Sequence, residues 1–253
     1  MIIATDLEGV LVPEIWERIA EETGIPELTR TTRDEPDFGR LMDYRLAALN
    51  GHGLRLPALQ AIAAKMEPYP GAVELLEWMR DLAQVLIVSD SFHELSEGLV
   101  RRMGGFSLFA NRFEVTADGR IEGVRLRIRG RKDHVIRSVQ EIGFRVVAIG
   151  DSYNDERVLR AADHAILFNA PADLAERLPQ AFQAKNYDDI RRFVEEVHAI
   201  DEGDLRSEGP GAAGRPGAAG PGAAATVSSV PAPDASGASP VLAAVPPTPA
   251  SVS

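Results

Sequence analysis

Acidic side chains follow two short apolar runs of this sequence, in positions where they could act together on a phosphate ester. Asp6 and Glu8 come directly after the first run, and Asp151 and Asp155 come after a later run, in the segment GDSYND. Three or four carboxylates that converge on one crevice repel each other unless a hard cation lies among them. Mg²⁺ prefers one or two carboxylates together with water and substrate phosphate. The acids therefore predict a magnesium site.

Two further residue types would complete such a site. Lys132 supplies positive charge for a phosphate group, and Ser89 ends a third apolar run before a helix-like segment. A hydroxyl group and backbone N–H groups at a helix N-terminus bind phosphate. Taken singly, an Asp or Ser at a strand end is more often a helix cap, and a single Lys is usually a solvated surface residue. The joint order of the acids, Ser89 and Lys132 favours the functional interpretation.

Four apolar runs of strand length are predicted as the strands that position these residues: Ile2–Thr5, Val85–Val88, Val146–Ile149 and Ala165–Phe168. A helix-like segment follows each of the first three, which is typical of a parallel sheet with crossover helices. The fold class is therefore predicted as α/β, with a Rossmann-like parallel sheet core. Ligands of such sheets bind at the carboxyl ends of the strands. The polar residues at those ends are Asp6, Glu8, Ser89, Asp90, Asp151 and Asn154.

The segment between the first two predicted strands has a helical pattern. Helices are predicted at Glu14–Thr23, across Leu41–Leu49 and at Pro57–Met66, with glycine or proline after the first two. Trp16 is predicted to be core or hinge packing. An insertion of this size after the first strand predicts a small helical cap over the site.

The domain boundaries follow from this organisation. The cap is predicted at residues 13–68, between core segments 1–12 and 69–203. Phe113–Ile128 alternates around Asp118-Gly119, which predicts a short β-hairpin. Residues 204–253 consist largely of Gly, Ala, Pro and Ser. Such a segment buries too little apolar surface to offset the entropy lost on ordering, so it is predicted to be a disordered tail.

Composition and charge exclude several classes of function. The chain has no cysteine, so disulfides, thiolate nucleophiles and cysteine-ligated zinc are excluded. The five histidines show no paired-ligand spacing, and the net charge of −11 without a Lys/Arg track disfavours nucleic acid as a partner. No apolar run is long enough for a membrane span, and the N-terminus reads as a strand rather than a signal peptide. A cytoplasmic enzyme is expected, and the oligomeric state is left open, with a homodimer among the options.

The order of these segments resembles the motifs of the haloacid dehalogenase superfamily of phosphohydrolases. DLEGV is similar to the first motif, VLIVSDS to the second, Lys132 to the third and GDSYND to the fourth. The resemblance covers the chain from residue 1 to about residue 200. It implies that Asp6 is a nucleophile that forms an aspartyl-phosphate and that Glu8 is the general acid and base.

The resemblance also implies roles for the other polar residues. The metal, Mg²⁺, would be held by the Asp6 carboxylate, the Glu8 main-chain carbonyl and the Asp151 carboxylate. Substrate contacts at the phosphate end would come from Ser89, Asp90, Lys132 and Asn154. Asp155 would steady Lys132 or a metal-bound water.

Within the superfamily, phosphoserine phosphatases bind their substrate with a Glu and an Arg of the cap. Glu14 and Arg45 stand at the matching places and would hold the ammonium and the carboxylate of phosphoserine. Most superfamily phosphatases have Asp two residues after the nucleophile. Glu8 stands there instead, which is similar to a bifunctional branch that also transfers the phosphoryl group from phosphoserine to homoserine. The Glu8 carboxyl reaches one methylene further than that of Asp, so an acceptor alcohol could compete with water.

Two alternatives stay open. The first is a phosphatase of the same superfamily that acts on another small phosphomonoester, such as a phosphosugar or a nucleotide. Such a substrate has no ammonium and carboxylate pair for Glu14 and Arg45. The second is a non-catalytic protein that binds a phosphorylated ligand on the same fold. The presence of Asp6, Lys132 and Asp151 disfavours the second alternative, because binding alone does not need a nucleophile.

Overall fold

A seven-stranded sheet forms the centre of the fold. The structure is a computed structural model that describes residues 1–31, 34–35, 37–127 and 131–207. Side chains are described as far as residue 203. The strands are β1 (Ile2–Thr5), β2 (Gln84–Phe92), β3 (Ser107–Val115), β4 (Ile121–Arg125), β5 (Val146–Gly150), β6 (His164–Phe168) and β7 (Phe182–Ala184). Their order across the sheet is β4-β3-β2-β1-β5-β6-β7. Neighbouring strands are parallel except for β3 and β4. The predicted α/β fold is therefore confirmed, and each predicted run lies within a strand.

The helices of the described residues are α1 (Ile15–Thr23), α2 (Phe38–Gly51), α3 (Leu56–Ala63), α4 (Ala72–Leu82), α5 (His93–Arg102), α6 (Asp133–Glu141), α7 (Glu156–Ala161), α8 (Ala172–Arg177) and α9 (Tyr187–Ser207). The first three lie between β1 and β2, together with a 3-10 turn at Pro26–Thr29. Across the part of the chain that the structure describes, no helix has the length and apolar character needed to cross a membrane.

The three central strands are in parallel register, which brings the polar residues near their carboxyl ends together. Thr5 of β1 is paired with Ile87 of β2 on one side and with Ile149 of β5 on the other. Every residue of β1 and β5 is buried, as expected for parallel strands that are covered on both faces. The residues that follow Thr5 and Ile149 therefore emerge side by side at the carboxyl edge of the sheet.

Strand β2 is longer than its apolar run predicted, because it continues beyond Val88 to Phe92. Its pairing with β3 is irregular between these two residues. Phe92 is fully buried, and its ring stacks on that of Phe113 in β3 with centroids 3.9 Å apart. Helix α5 begins only at His93. Ser89 therefore lies in an irregular part of a strand, and its predicted place at a helix N-terminus was wrong.

Helices α1–α3 are attached to the hairpin of β3 and β4. The Leu56 N–H donates to the Gly119 carbonyl at 2.8 Å, and Arg55 forms an ion pair with Asp118 at 2.7 Å. The predicted hairpin is therefore confirmed, and its turn contacts the start of α3. Apolar side chains of α1–α3, α5 and the hairpin form one buried cluster, distinct from the two clusters that cover the sheet.

Helix α9 closes the described part of the chain. Its buried residues Ile190, Val194 and Val197 join the apolar cluster that also contains Leu75 and Leu76 of α4. The helix continues past residue 204, where the composition changes, to Ser207. The predicted disordered tail lies outside the described residues from 208 onwards.

Candidate active site

Lys132 lies at the centre of the charged groups at the carboxyl edge of the sheet. It precedes α6, is 2% exposed, and its Nζ donates to Asp6 Oδ2 at 2.8 Å and to Asp155 Oδ1 at 2.9 Å. Asp90 Oδ2 lies 3.5 Å from the same nitrogen. Burial alone would lower the pKa of Lys132, but the charges of Asp155, Asp6 and Asp90 raise it well above its ordinary value. One ammonium group therefore faces three carboxylates.

Asp6 follows β1 directly and is almost fully buried. Its Oδ1 accepts a hydrogen bond from the Leu7 N–H at 2.7 Å, while Oδ2 faces Lys132. Burial is the main cause that raises the pKa of the Asp6 carboxyl group well above its usual range, and repulsion from Asp155 is the second. The positive charge of Lys132 lowers this pKa but does not cancel the rise. Asp6 therefore faces more negative than positive charge.

Two glycines allow the acids to come this close together. Gly9 has a φ of +77°, and a Cβ at this position would lie 2.2 Å from Asp151 Oδ2. A Cβ at Gly150 would lie 2.6 Å from Asp155 Oδ2. A larger residue at either position would collide with a carboxylate, so the packing of the site requires glycine at both.

Three of the carboxylates form a group that could hold a metal ion. Asp6, Asp151 and Asp155 each present one oxygen within 4.8 Å of the others. Asp155 Oδ2 also accepts a hydrogen bond from the Asp151 N–H at 3.1 Å, which fixes the loop after β5. Burial and the neighbouring charge of Asp155 raise the pKa of Asp151 to about 7. Oxygen ligands with excess negative charge suit a hard divalent cation.

Glu8 connects this cluster to the first helix of the insertion. Its Oε1 accepts a hydrogen bond at 2.7 Å from the N–H of Ile15, the first residue of α1. The first N–H groups of a helix have no partner within the helix, and Glu8 satisfies one of them. Burial and the charge of Glu14 raise the pKa of Glu8 to about 7. This carboxyl group can therefore exchange a proton near neutral pH.

Asn154 joins the loop after β5 to the irregular part of β2. Its Nδ2 donates to Asp90 Oδ2 at 3.1 Å, and Asn111 Nδ2 donates to the Asp90 carbonyl at 2.9 Å. The Ser89 hydroxyl is buried and accepts a hydrogen bond from the Ser91 N–H at 3.1 Å. These contacts fix the β2 segment beside the charged cluster.

The opposite wall of the site belongs to α1 and α2. Arg45 of α2 is 6% exposed, and its Nη2 donates to the Arg30 carbonyl at 2.7 Å. Its guanidinium lies over the Trp16 ring, 4.5 Å from the ring centroid. Burial lowers the pKa of Arg45 to about 10, against the opposing influence of Glu8 and Glu14. Glu14, the residue before α1, is exposed on the wall of the cavity.

A cavity of about 350 Å³ separates the two walls. The residues predicted from the sequence that line it are Asp6, Glu8, Glu14, Arg45, Ser89, Asp90, Asp151 and Asn154. Lys132 and Asp155 are buried behind Asp6 and contact each other. The structure therefore brings all the predicted site residues to one place.

Three aromatic residues of the cavity wall, Trp16, Phe38 and Tyr153, were not among the predicted site residues. Trp16 was predicted as core or hinge packing, and Tyr153 was given no role. The Tyr153 hydroxyl donates to the Asp173 carboxylate of α8 at 2.7 Å. Trp16 does belong to a buried apolar cluster, as predicted, and it also lines the cavity. Tyr153 stands next to Asn154 in the sequence, and this is the signal that could have identified it.

Comparison with known proteins points to the same class of enzyme as the fold and the acid cluster. Residues 1–163 match a family model described as haloacid dehalogenase-like hydrolase. The chain therefore belongs to the haloacid dehalogenase-like hydrolase family, and the resemblance seen in the motifs is confirmed.

Individual relatives narrow the comparison further. The chain is 42% identical over 191 residues to phosphoserine phosphatase ThrH of Pseudomonas aeruginosa, a match that covers 76% of this chain and 93% of that protein. It is 41% identical over 191 residues to a phosphoserine phosphatase of Pseudomonas syringae pv. tomato, covering 76% and 81% of the two chains. A crystal structure of phosphoserine phosphatase in apo form matches with a TM-score of 0.64 at 23% identity, over 77% of this chain and 97% of that one. The last similarity supports the fold alone.

Proposed function

We propose that the protein hydrolyses phosphoserine through an aspartyl-phosphate formed on Asp6. The observation that carries this proposal is the pair of unmatched charges on the wall opposite Asp6. Among the described residues, neither Glu14 nor Arg45 has an ion-pair partner within 4.0 Å, although both line the cavity. A substrate with an ammonium and a carboxylate at one end and a phosphate at the other would pair both charges and reach Asp6. The names of the two Pseudomonas relatives support the same substrate.

The two alternative functions fit this cavity less well. A phosphosugar or a nucleotide would leave Arg45 without an anionic partner, and a buried polar group without a partner costs about 1–3 kcal/mol. A non-catalytic binder has no use for a buried carboxylate aimed at the ligand, because Asp6 would repel a bound phosphate.

Mg²⁺ is the cofactor that we propose for the acid cluster. Its ligands would be the Asp6 carboxylate, the Glu8 main-chain carbonyl and the Asp151 carboxylate. Asp155 would instead steady Lys132, because its Oδ1 accepts a hydrogen bond from Lys132 and its Oδ2 accepts one from the Asp151 N–H. A bound cation would offset the burial and mutual repulsion that raise the pKa values of Asp6 and Asp151. When bound, Mg²⁺ supplies positive charge that offsets the repulsion between carboxylate and phosphate.

In the proposed reaction, Asp6 is the nucleophile and Glu8 transfers the protons. An Asp6 carboxylate oxygen attacks phosphorus, and the bond from phosphorus to the serine oxygen breaks. Glu8 gives its proton to the departing serine oxygen, which its pKa of about 7 makes feasible at neutral pH. Water then attacks the phosphorus of the aspartyl-phosphate and loses its proton to Glu8. Inorganic phosphate leaves, and the Asp6 carboxylate and the protonated Glu8 are regenerated.

Transfer of the phosphoryl group to homoserine is a second activity that we propose for the same site. Homoserine carries the same ammonium and carboxylate as serine, so Glu14 and Arg45 would bind it after serine leaves. The observation that favours it is Glu8 itself, whose carboxyl group is longer than that of Asp and is bonded to the Ile15 N–H. An alcohol held by Glu14 and Arg45 could then compete with water for the base.

The experiment that tests these proposals follows phosphoserine turnover with and without homoserine, measuring free phosphate and phosphohomoserine together. We expect turnover with Mg²⁺, none in EDTA, and inhibition by Ca²⁺, whose looser coordination misaligns the nucleophile. Asp6→Asn should keep the fold and lower kcat by more than about a thousandfold, because an amide is a poor nucleophile.

Beryllofluoride, which mimics the aspartyl-phosphate, should bind the wild type and not Asp6→Asn. Turnover of Asp6→Asn within tenfold of the wild type, or full activity in EDTA, would contradict the mechanism. Good turnover of phosphosugars with none of phosphoserine would instead favour the first alternative.

A further inference from the structure

Trp16 is the residue of the cavity wall whose contact is least explained by packing alone. It lies in the first turn of α1, two residues after Glu14, and it is almost fully buried in the apolar cluster of α1–α3. Its ring nevertheless has a charged neighbour, the Arg45 guanidinium, 4.5 Å from the ring centroid. An indole that only filled the core would be surrounded by apolar groups.

Arg45 is restrained on two sides and free on a third. The Arg30 carbonyl accepts its Nη2 hydrogen bond, and the guanidinium carbon lies over the Trp16 ring. Nε is buried without a hydrogen-bond partner, and no bond to Nη1 is found among the described residues. The guanidinium is thus held by one hydrogen bond and by the ring, with donors left over, and Arg45 lines the cavity.

We propose that Trp16 is a positioning residue that holds the Arg45 guanidinium in the orientation needed to bind the substrate carboxylate, and that it thereby sets the preference for amino-acid phosphates. The inference rests on the proposed function. A guanidinium binds a carboxylate through a planar fork, so its orientation decides whether one or two hydrogen bonds form. A long side chain that can rotate away binds the same ligand less well, because its rotamer freedom is lost on binding.

The ring face supplies this restraint in two ways. The electron-rich face of an indole attracts a cation, most strongly when water is excluded, and Arg45 is almost fully buried. The flat ring also offers a broad contact surface, so a guanidinium that rotates away from it loses contact. Leucine is apolar but smaller than tryptophan and has neither property, whereas phenylalanine is also smaller than tryptophan but keeps the aromatic face.

The test compares Trp16→Leu with Trp16→Phe on two substrates, phosphoserine and p-nitrophenyl phosphate, which has no carboxylate. We expect Trp16→Leu to raise the KM for phosphoserine roughly tenfold, with KM and kcat for p-nitrophenyl phosphate changed less than about twofold. Trp16→Phe should recover most of the phosphoserine KM. Unchanged turnover of p-nitrophenyl phosphate also shows that the variants are folded.

A double-mutant cycle with Arg45→Ala separates positioning from packing. If Trp16 acts through Arg45, Trp16→Leu should change the phosphoserine KM by less than about twofold in the Arg45→Ala background. An equal loss on both substrates, or the same tenfold effect without Arg45, would overturn the inference and leave Trp16 as core packing.

Turnover of phosphoserine by the wild type distinguishes a failure of the Trp16 proposal from a failure of the proposed function. Wild-type turnover of phosphoserine with no effect of Trp16→Leu overturns the role of Trp16 alone. Absence of wild-type turnover of phosphoserine overturns both proposals together.

Discussion

The two walls of the cavity differ in how their charges are paired. On the sheet wall, Lys132 contacts Asp6, Asp155 and Asp90, and the remaining oxygen of Asp155 accepts from a backbone N–H. On the helical wall, Arg45 has one hydrogen bond to a neutral carbonyl, and within the described residues Glu14 has no partner. The charges of Lys132, Asp6, Asp90 and Asp155 are thus paired within the protein, and, as far as the structure describes the chain, those of the helical wall are not.

This difference follows from what each wall has to do in the proposed reaction. Groups that act on the phosphoryl group must hold one geometry throughout, and a network of charge-assisted hydrogen bonds provides it. Groups that select the substrate must keep their bonding capacity for the substrate itself. A charge already paired within the protein would have to lose that partner first, which would reduce affinity.

The largest effect expected from this comparison is on stability, with matched substitutions in the two walls. Lys132→Met leaves buried carboxylates without their cation, and breaking a buried pair in this way costs about 3–5 kcal/mol. Arg45→Met removes a buried charge that has no acidic partner, so the free energy of unfolding should change by less than about 1 kcal/mol. Urea denaturation at pH 8 in EDTA measures both.

Equal destabilisation by the two substitutions would show that Arg45 is a structural charge like Lys132. The distinction between a wall whose charges are paired within the protein and a wall whose charges are unpaired would then be lost. Circular dichroism before denaturation serves as the control that both variants start from the folded state.

The second effect is on catalysis, where a substitution of Arg45 should have a large effect although its effect on stability should be small. Arg45→Ala should lower kcat/KM for phosphoserine. The loss of transition-state stabilisation should be about 2–4 kcal/mol, because a charge-assisted pair with the carboxylate is lost. KM should rise and kcat should fall, since the pair also positions the phosphoester. Turnover of an aryl phosphate should stay nearly unchanged. An equal loss on both substrates would show that Arg45 supports the helices and does not read the substrate.

The parts of the sheet wall were unequally predictable from the sequence. Asp6, Ser89 and Asp151 directly follow apolar runs, and parallel strands in level register bring such residues to one edge, so their proximity could be predicted. The contact of Lys132 Nζ with Asp6 Oδ2 at 2.8 Å could not. It depends on the path of the chain through the hairpin and α6, which local pattern does not specify.

Trp16 and Phe92 show why the rest was missed. An aromatic residue in an amphipathic helix has the same spacing whether its ring faces apolar side chains or a guanidinium, so Trp16 was indistinguishable from core. The apolar run of β2 stops at Val88, yet the strand continues because Phe92 stacks on Phe113. Both outcomes are decided by contacts between segments that are distant in the chain.

A third, smaller effect tests how closely the sheet wall is packed. Gly9→Ala places a Cβ 2.2 Å from Asp151 Oδ2, whereas Gly53→Ala meets nothing within 4 Å. Both glycines have positive φ, +77° and +69°, so both substitutions carry a similar backbone strain of about 1–2 kcal/mol. The overlap with Asp151 should destabilise Gly9→Ala by about 1–3 kcal/mol more than the control. It should also weaken Mg²⁺ binding, measured by calorimetry, while equal behaviour of the two variants would contradict the proposed metal site.

The smallest effect expected is a pH dependence that belongs to the sheet wall. The pKa values of Glu8 and Asp151 are raised to about 7 by burial and by neighbouring acids, whereas unfolded carboxyl groups titrate near pH ~4. Between these values the folded protein holds more protons than the unfolded chain. The stability that these groups contribute is therefore fully present below about pH 4 and is lost as the pH rises to about 7.

Mg²⁺ competes with the Asp151 proton for the same oxygens, so its stabilising effect should grow over the same interval. The quantity to measure is the difference in free energy of unfolding with Mg²⁺ and with EDTA, from pH 4 to pH 8, because titration of all other groups cancels in that difference. We expect the difference to increase up to about pH 7 and then level off, and Asp151→Asn to flatten it. Partial exposure of Asp151 and salt screening keep the effect small. A difference that shrinks as the pH rises would mean that the acids of the sheet wall do not hold the metal.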